Sequence, residues 1–273
     1  MNWKRLFSRT PSLSPAEARQ YIEKHPAADF QLLDVRQPKE YEAEHLPGAK
    51  LIPIKELPDR QAELDPDRPV LVYCAVGGRS RAAAQYLNGQ GFKEVYNMAG
   101  GIKAWQGGKA AGPLDAGLEL LPATAEYDEA AALAYAMEDG LQRFYLKLAA
   151  GSEEAELATT YRHLAGLEDF HKKRLAREYR EQTGQTLAPA EADEQGEQGE
   201  LMESGQAPSV FEAATPAEIM EQAMGLEFQA QDLYLRLAEQ SRVAASREFF
   251  LAMAAEEKEH LAFLAKELEG LKE

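Results

Sequence analysis

The stretch Val70-Leu-Val-Tyr-Cys-Ala-Val-Gly-Gly-Arg-Ser-Arg-Ala-Ala-Ala-Gln-Tyr86 holds the one cysteine of this 273-residue chain, Cys74. Its β-branched run, Val70 to Tyr73, predicts a buried strand, and the small, helix-prone residues from Ser80 to Leu87 predict a helix. Between them lies a tight loop, Cys74 to Arg79. Gly77 and Gly78 allow such a loop to curl with several backbone N–H groups pointing inward, and the following helix adds the positive end of its dipole. Such a loop is an anion cradle beneath a sulfur atom. With Arg79 nearby it would lower the pKa of the thiol and hold it as the nucleophilic thiolate.

Working outward, Ser14 and Pro15 mark a helix start before Ile22. A strand is expected at Gln31 to Val35, a helix at Pro38 to His45, a strand at Lys50 to Ile54, a short helix at Glu56 to Leu64 and a last strand at Glu94 to Tyr96. Short strands alternating with helices imply an α/β domain with a parallel sheet and the reactive loop at the carboxyl end of its strand. His45, beside a Pro-Gly turn, reads as a packing residue. Asp34 and Arg36 read first as a structural ion pair below the loop, with a substrate contact by Arg36 as the second reading.

Around the loop, Leu32-Leu-Asp-Val-Arg36, Glu40-Tyr-Glu-Ala-Glu-His-Leu-Pro-Gly-Ala49 and Asn97-Met-Ala-Gly-Gly-Ile-Lys-Ala-Trp105 follow in the order found in rhodaneses. Residues 13 to 106 therefore resemble a single rhodanese (sulfurtransferase) domain. The resemblance implies that Cys74 accepts a sulfane sulfur as a persulfide and passes it to a thiophilic acceptor. It also implies that Ala75, Val76, Gly77, Gly78, Arg79 and Ser80 cradle persulfide and substrate anion, with Cys74 and Arg79 as the catalytic pair. Many members carry arginine directly after the cysteine, where this chain has Ala75. Related phosphatases have one more residue between cysteine and arginine, so the four residues between Cys74 and Arg79 favour sulfur transfer.

The length suits two domains. A single cysteine excludes an intramolecular disulfide and any Cys-rich metal centre, and it removes a resolving thiol, so sulfur on Cys74 must leave to another molecule. Met1 to Thr10 has basic residues but no apolar core of a signal peptide, and no stretch matches a spanning helix. A cytoplasmic protein without membrane contact is expected. The net charge is −16, with 16 Lys+Arg against 13 Asp+Glu in residues 1–110 but 14 against 33 beyond them. Nucleic acid is excluded as a partner by this balance. A cationic metal suits the acidic half.

Domain boundaries follow composition: the α/β domain over 1–108, a glycine-rich linker over 109–123, and a helical domain over 124–273. Four helices are expected near 124–150, 153–183, 215–240 and 244–270, with a mobile crossover at about 184–214. Internal repetition defines this half. Glu138, Tyr145, Glu168 and His171 recur as Glu227, Tyr234, Glu257 and His260, each 89 residues on. The midpoint between each lone glutamate and its Glu-x-x-His partner falls in a turn, which brings the two level across a helical hairpin. All lie on apolar seams, so four carboxylates and two imidazoles are aimed into one bundle core.

Four unpaired buried carboxylates would cost several kcal/mol each. Two divalent metals balance their charge, held by Glu138, Glu168, His171, Glu227, Glu257 and His260, and this donor set suits iron or manganese better than copper. His163 lies off the seam and reads as a surface residue. Residues 124–270 resemble the ferritin-like superfamily, most closely rubrerythrin-type di-iron proteins. That resemblance implies two iron ions, with manganese as the second choice, and reaction with dioxygen, peroxide or sulfur species. Rubrerythrins have a further glutamate where this chain has Ala230, and a rubredoxin centre that one cysteine cannot form.

The whole reads as an α/β rhodanese-like domain followed by an all-α ferritin-like four-helix bundle, with expected partners of three kinds. Donors are thiosulfate, polysulfide or a low-molecular-weight persulfide, acceptors are a thiol, cyanide or sulfide, and the third is a second copy in a homodimer. The alternative is a non-catalytic persulfide sensor or carrier whose bundle stores metal or forms dimers.

Overall fold

The protein is described by a computed structural model for residues 10–112, 127–152, 154–187, 215–241 and 243–272. The chain divides into two compact units, Met1–Leu114 and Asp115–Glu273. Most of the expected linker and of the expected crossover at 184–214 lies outside the described residues. Lys109 to Gly112, read as linker, are still tied to the first unit: Ala110 exchanges two backbone hydrogen bonds with His45, and Lys109 pairs with Glu44.

The first unit is an α/β layer structure. Its strands are β1 (Ser12–Leu13), β2 (Gln31–Asp34), β3 (Lys50–Leu51), β4 (Val70–Tyr73) and β5 (Val95–Met98). All pair in parallel in the order β1-β5-β4-β2-β3. Helices α1 (Pro15–Lys24), α2 (Pro38–Ala43), α3 (Leu57–Arg60) and α4 (Gly78–Gln90) complete it. All four residues of β4 are buried because both faces of a parallel sheet are covered. Val70 and Val72 pack with Ala83, Ala84 and Leu87 of α4 on one face, and Leu71 and Tyr73 pack with Ala18 and Tyr41 on the other.

Local chemistry explains most boundaries. Ser14 caps α1 in a reciprocal capping box with Glu17, and Pro15 occupies the first turn. β3 ends before the expected Ile54 because Pro53 has no N–H for the ladder, although Ile52 and Ile54 still donate to Asp34 and Val35. The two-residue edge strand β1 has no periodicity to read. It is fixed by Asn97 and Ala99, whose amides donate to Pro11 and Leu13.

The second unit is all-helical: α5 (Tyr127–Gly151), α6 (Ala155–Thr183), α7 (Pro216–Gln240) and α8 (Ala244–Lys272). α5 packs along α6, and α7 along α8, as two hairpins. Thr215 and Glu218 form a capping box at the start of α7, and Gly184, at φ 72°, ends α6. The seam residues Leu141, Tyr145, Leu164, Leu175, Tyr234, Phe250, Met253 and Leu264 are buried together in one core. No helix among the described residues is long and apolar enough to cross a membrane.

Candidate functional site

Cys74 directly follows β4 and is 1% exposed. Its sulfur accepts the amide N–H of Gly77 at 3.1 Å and lies 3.4 Å from Ser80 Oγ. Burial pushes the thiol up, but the Ser80 hydroxyl and the amides of Ser80, Val76 and Gly77 outweigh it, so the pKa falls below its ordinary value. Ser80 has one hydroxyl proton for two acceptors, and Asn97 Oδ1, at 2.6 Å, is the nearer. Asn97 is fixed in turn by donating to Ser12 Oγ at 3.1 Å.

The turn after β5 supports the loop from below. Ile102 N–H donates to the carbonyl of Cys74 and Lys103 N–H to that of Ala75, at 2.9 and 3.1 Å. This close approach requires Gly101: at φ 60°, an added Cβ would lie 2.2 Å from the Cys74 carbonyl oxygen. Gly77, at φ 93°, turns the loop into α4, which starts at Gly78 rather than at the expected Ser80. Ala75 is half-buried, Gly78 exposed, and Val76 stands 63% exposed at the loop tip.

Arg79 makes a bidentate pair with Glu40 of α2 at 2.7 and 2.6 Å, and that pair holds the Glu40 carboxyl down at about 2. Arg36 is buried, donates three times to Asp34 at 2.6–3.0 Å, and reaches the Glu44 carbonyl at 2.6 Å. These are the contacts of the expected ion pair between Asp34 and Arg36. His45 stacks on Tyr41 with ring centroids 3.7 Å apart. His163 is exposed, with its ring against Phe263.

In the second unit the six expected ligands meet. Glu138, Glu168, Glu227 and Glu257 are fully buried, and both histidines nearly so. His171 Nδ1 lies 3.2 Å from Glu257, 3.4 Å from Glu138 and 3.6 Å from Glu168. His260 Nδ1 lies 3.3 Å from Glu257, 3.7 Å from Glu227 and 3.8 Å from Glu168. Glu168 and Glu257 thus face both imidazoles, whereas Glu138 and Glu227 each face one. The rings stack with centroids 4.9 Å apart. Three overlapping triads, Glu138/His171/Glu257, Glu168/His171/His260 and Glu227/Glu257/His260, each bring their donor atoms within 4.8 Å.

These residues fit a pair of cations. Eight of their side-chain atoms are buried without a hydrogen-bond partner, including both oxygens of Glu168 and Glu257 and the Nδ1 of each histidine. Burial lifts Glu168 to about 11 and Glu227 to about 8. Although burial opposes the charge, the surrounding carboxylates hold His171 protonated up to about 12 and His260 up to about 9. The cluster therefore gathers protons where it lacks a metal, consistent with a di-metal site.

Three groups of supporting residues were not read as such from sequence. Tyr145 donates to Glu227 and Tyr234 to Glu138, each tyrosine holding the glutamate of the other hairpin. The recurrence of the tyrosines was the available signal. Gly101 and Asn97 lay within a quoted motif with no role assigned, and Glu256, against His171, had no signal at all.

A model described as rhodanese-like domain matches residues 14–107, and one described as rubrerythrin matches residues 218–273. The chain is 38% identical over 94 residues to thiosulfate sulfurtransferase GlpE of Coxiella burnetii, covering 34% of this chain and 85% of that one. It is 48% identical over 77 residues to the uncharacterized protein YqhL of Bacillus subtilis, covering 28% of this chain and 61% of the relative. It is 47% identical over 81 residues to rhodanese-like/PpiC domain-containing protein 12 of Arabidopsis thaliana, covering 28% of this chain and 27% of the relative. The chain thus spans less than two thirds of the last two.

Proposed function

Since this chain belongs to the rhodanese family through its first unit and carries a rubrerythrin-type module behind it, we propose that it is a sulfurtransferase acting through a persulfide on Cys74, coupled to a di-iron carboxylate centre. The observation that carries this reading is the cradle around the Cys74 sulfur, in which inward N–H groups and Ser80 favour the anionic form.

The thiolate of Cys74 attacks the outer sulfur of thiosulfate, a polysulfide or a low-molecular-weight persulfide. The donor S–S bond breaks, sulfite or a thiolate leaves, and Cys74 carries the transferred sulfur. A thiol, cyanide or sulfide then attacks that outer sulfur and frees the thiolate. The amides of Ala75 to Ser80 and the Arg79 guanidinium steady the anions, with Gly77 and Gly78 giving the loop its curvature. Ser80 turns its single proton toward sulfur as charge develops there. A chain with one thiol, kept reduced, suits the cytoplasm.

In the bundle, Glu138, His171, Glu227 and His260 would hold one ion each side, and Glu168 and Glu257 would face both. Iron is the first choice and manganese the second, and the bound metal would supply reaction with dioxygen, peroxide or sulfur species. Tyr145 and Tyr234 hold Glu227 and Glu138 in place, and Glu168, Glu227, His171 and His260, which hold protons in the metal-free cluster, would release them as ions enter.

Incubation with thiosulfate or polysulfide followed by cyanide tests the first half. Thiocyanate should form over many turnovers and be lost in Cys74→Ser, and a mass spectrum should show one added sulfur on Cys74. Absence of that adduct with every donor overturns the assignment. The near-complete burial of Cys74 favours a second reading, a persulfide sensor or carrier with a metal-storing or dimerising bundle. Single loading of Cys74 without turnover would select it.

A further inference from the structure

We infer that the two ends of the acid cluster are unequal, and that Glu256 is the positioning residue that makes the His171 side the tighter of two cation sites. This rests on the di-metal reading of the cluster and goes beyond it. Within the ligand set the duplication is exact to the residue: lone glutamates, tyrosines, Glu-x-x-His glutamates and histidines all repeat at 89. Behind the histidines it fails. His171 turns Nδ1 toward the acids and its far nitrogen, Nε2, toward Glu256, 3.1 Å from Oε2. Glu256 is paired with Arg174, and the Arg174 guanidinium lies 5.4 Å over the Phe249 ring.

The counterparts of these three residues, 89 positions away, are Leu167, Phe263 and Thr160, none of which carries a charge. Among the described residues, no acid pairs with Nε2 of His260. The two imidazoles therefore differ in one physical respect. A carboxylate on Nε2–H fixes the His171 tautomer, leaves its Nδ1 lone pair facing the cluster, and restrains the ring in that orientation. It also makes the imidazole a stronger donor. His260 must choose its tautomer and hold its ring without that support. Arg174 neutralises Glu256, so the carboxylate adds no repulsion to the four acids nearby.

The test is an anaerobic calorimetric titration of the chelator-stripped full chain with Fe2+ alone. Two steps are expected, the first at least about tenfold tighter. His260→Ala should keep the tight step and lose the weak one, and His171→Ala should do the reverse. Glu256→Leu, which installs the residue found at the duplicated position, should weaken the first step by about 10–100-fold and leave the second unchanged. Glu256→Gln keeps an acceptor oxygen at a site that is partly exposed, so it should fold normally and fall between Leu and wild type. Equal steps in the wild type, or a Glu256→Leu variant that moves both steps or neither, would overturn the inference while leaving two bound ions. Failure of the wild type to bind any Fe2+ would remove the di-metal reading together with it.

Discussion

Two effects of opposite sign meet at the sulfur of Cys74. Burial disfavours the thiolate, and the Ser80 hydroxyl with three loop amides favours it, with the second effect the stronger. Ser80 divides one proton between Asn97 and sulfur, and its contribution is separable from that of the amides. In Ser80→Ala the pH midpoint for alkylation of Cys74 should move upward, so that the rate near neutrality falls while the plateau at high pH is kept. Iodoacetamide kinetics across pH 5–10 would check this, and an unmoved midpoint would mean that the hydroxyl serves Asn97 alone. The Arg79–Glu40 pair does not complicate the profile. Its carboxyl is held down at about 2, so the pair stays ionised throughout that range and is lost only under strong acid.

At the scale of elements, the loop depends on a backbone approach that sequence spacing does not display. The turn after β5 sits so close beneath Cys74 that position 101 has no room for a side chain. Gly101→Ala should destabilise the protein by more than about 1 kcal/mol and lower sulfur transfer by about 100-fold through displacement of the loop. Gly91 also has a positive φ but open space around it, so Gly91→Ala should lower stability in urea melts and leave transfer nearly intact. Equal behaviour of the two variants would remove the close approach as the cause. What was legible follows the same division. Val70–Tyr73 was readable as a continuous apolar, β-branched run buried on both faces, the helical seams because periodicity reports which face of one element is buried, and the repeated Glu-x-x-His motifs because they lie on those faces. The crossing of Tyr145 to Glu227 and of Tyr234 to Glu138 joins different hairpins, and neighbours across elements leave no spacing rule in the chain. The edge strand Ser12–Leu13 was unreadable for a simpler reason: two residues have no period.

At the scale of the whole molecule, the acidic second half would place most of its charge in solvent, yet Glu168, Glu227 and Glu257, with the two histidines beside them, govern how stability depends on pH. In the metal-free protein Glu227 titrates at about 8 and Glu168 at about 11, against an ordinary 4.5, while His260 and His171 titrate at about 9 and about 12, against 6.5. Each native value is raised, so the folded state holds protons that the unfolded chain has released. Stability from these groups is complete below the unfolded values and is lost as pH climbs through the folded ones. Glu257 works in the opposite sense: burial opposes its charge, but the two histidines hold it down at about 2, so its contribution is lost only as pH falls below 4.5. The chelated protein should therefore be most stable near pH 5 and melt progressively lower toward pH 9. Bound metal reverses the trend, because proton competition for the ligands weakens as pH rises. Thermal melts followed by helix ellipticity, with Fe2+ under anaerobic conditions and with chelator, should diverge between pH 5 and pH 8. A chelated protein whose melting temperature rises across that window would show that its acids ionise freely, and that nothing in the bundle calls for a cation.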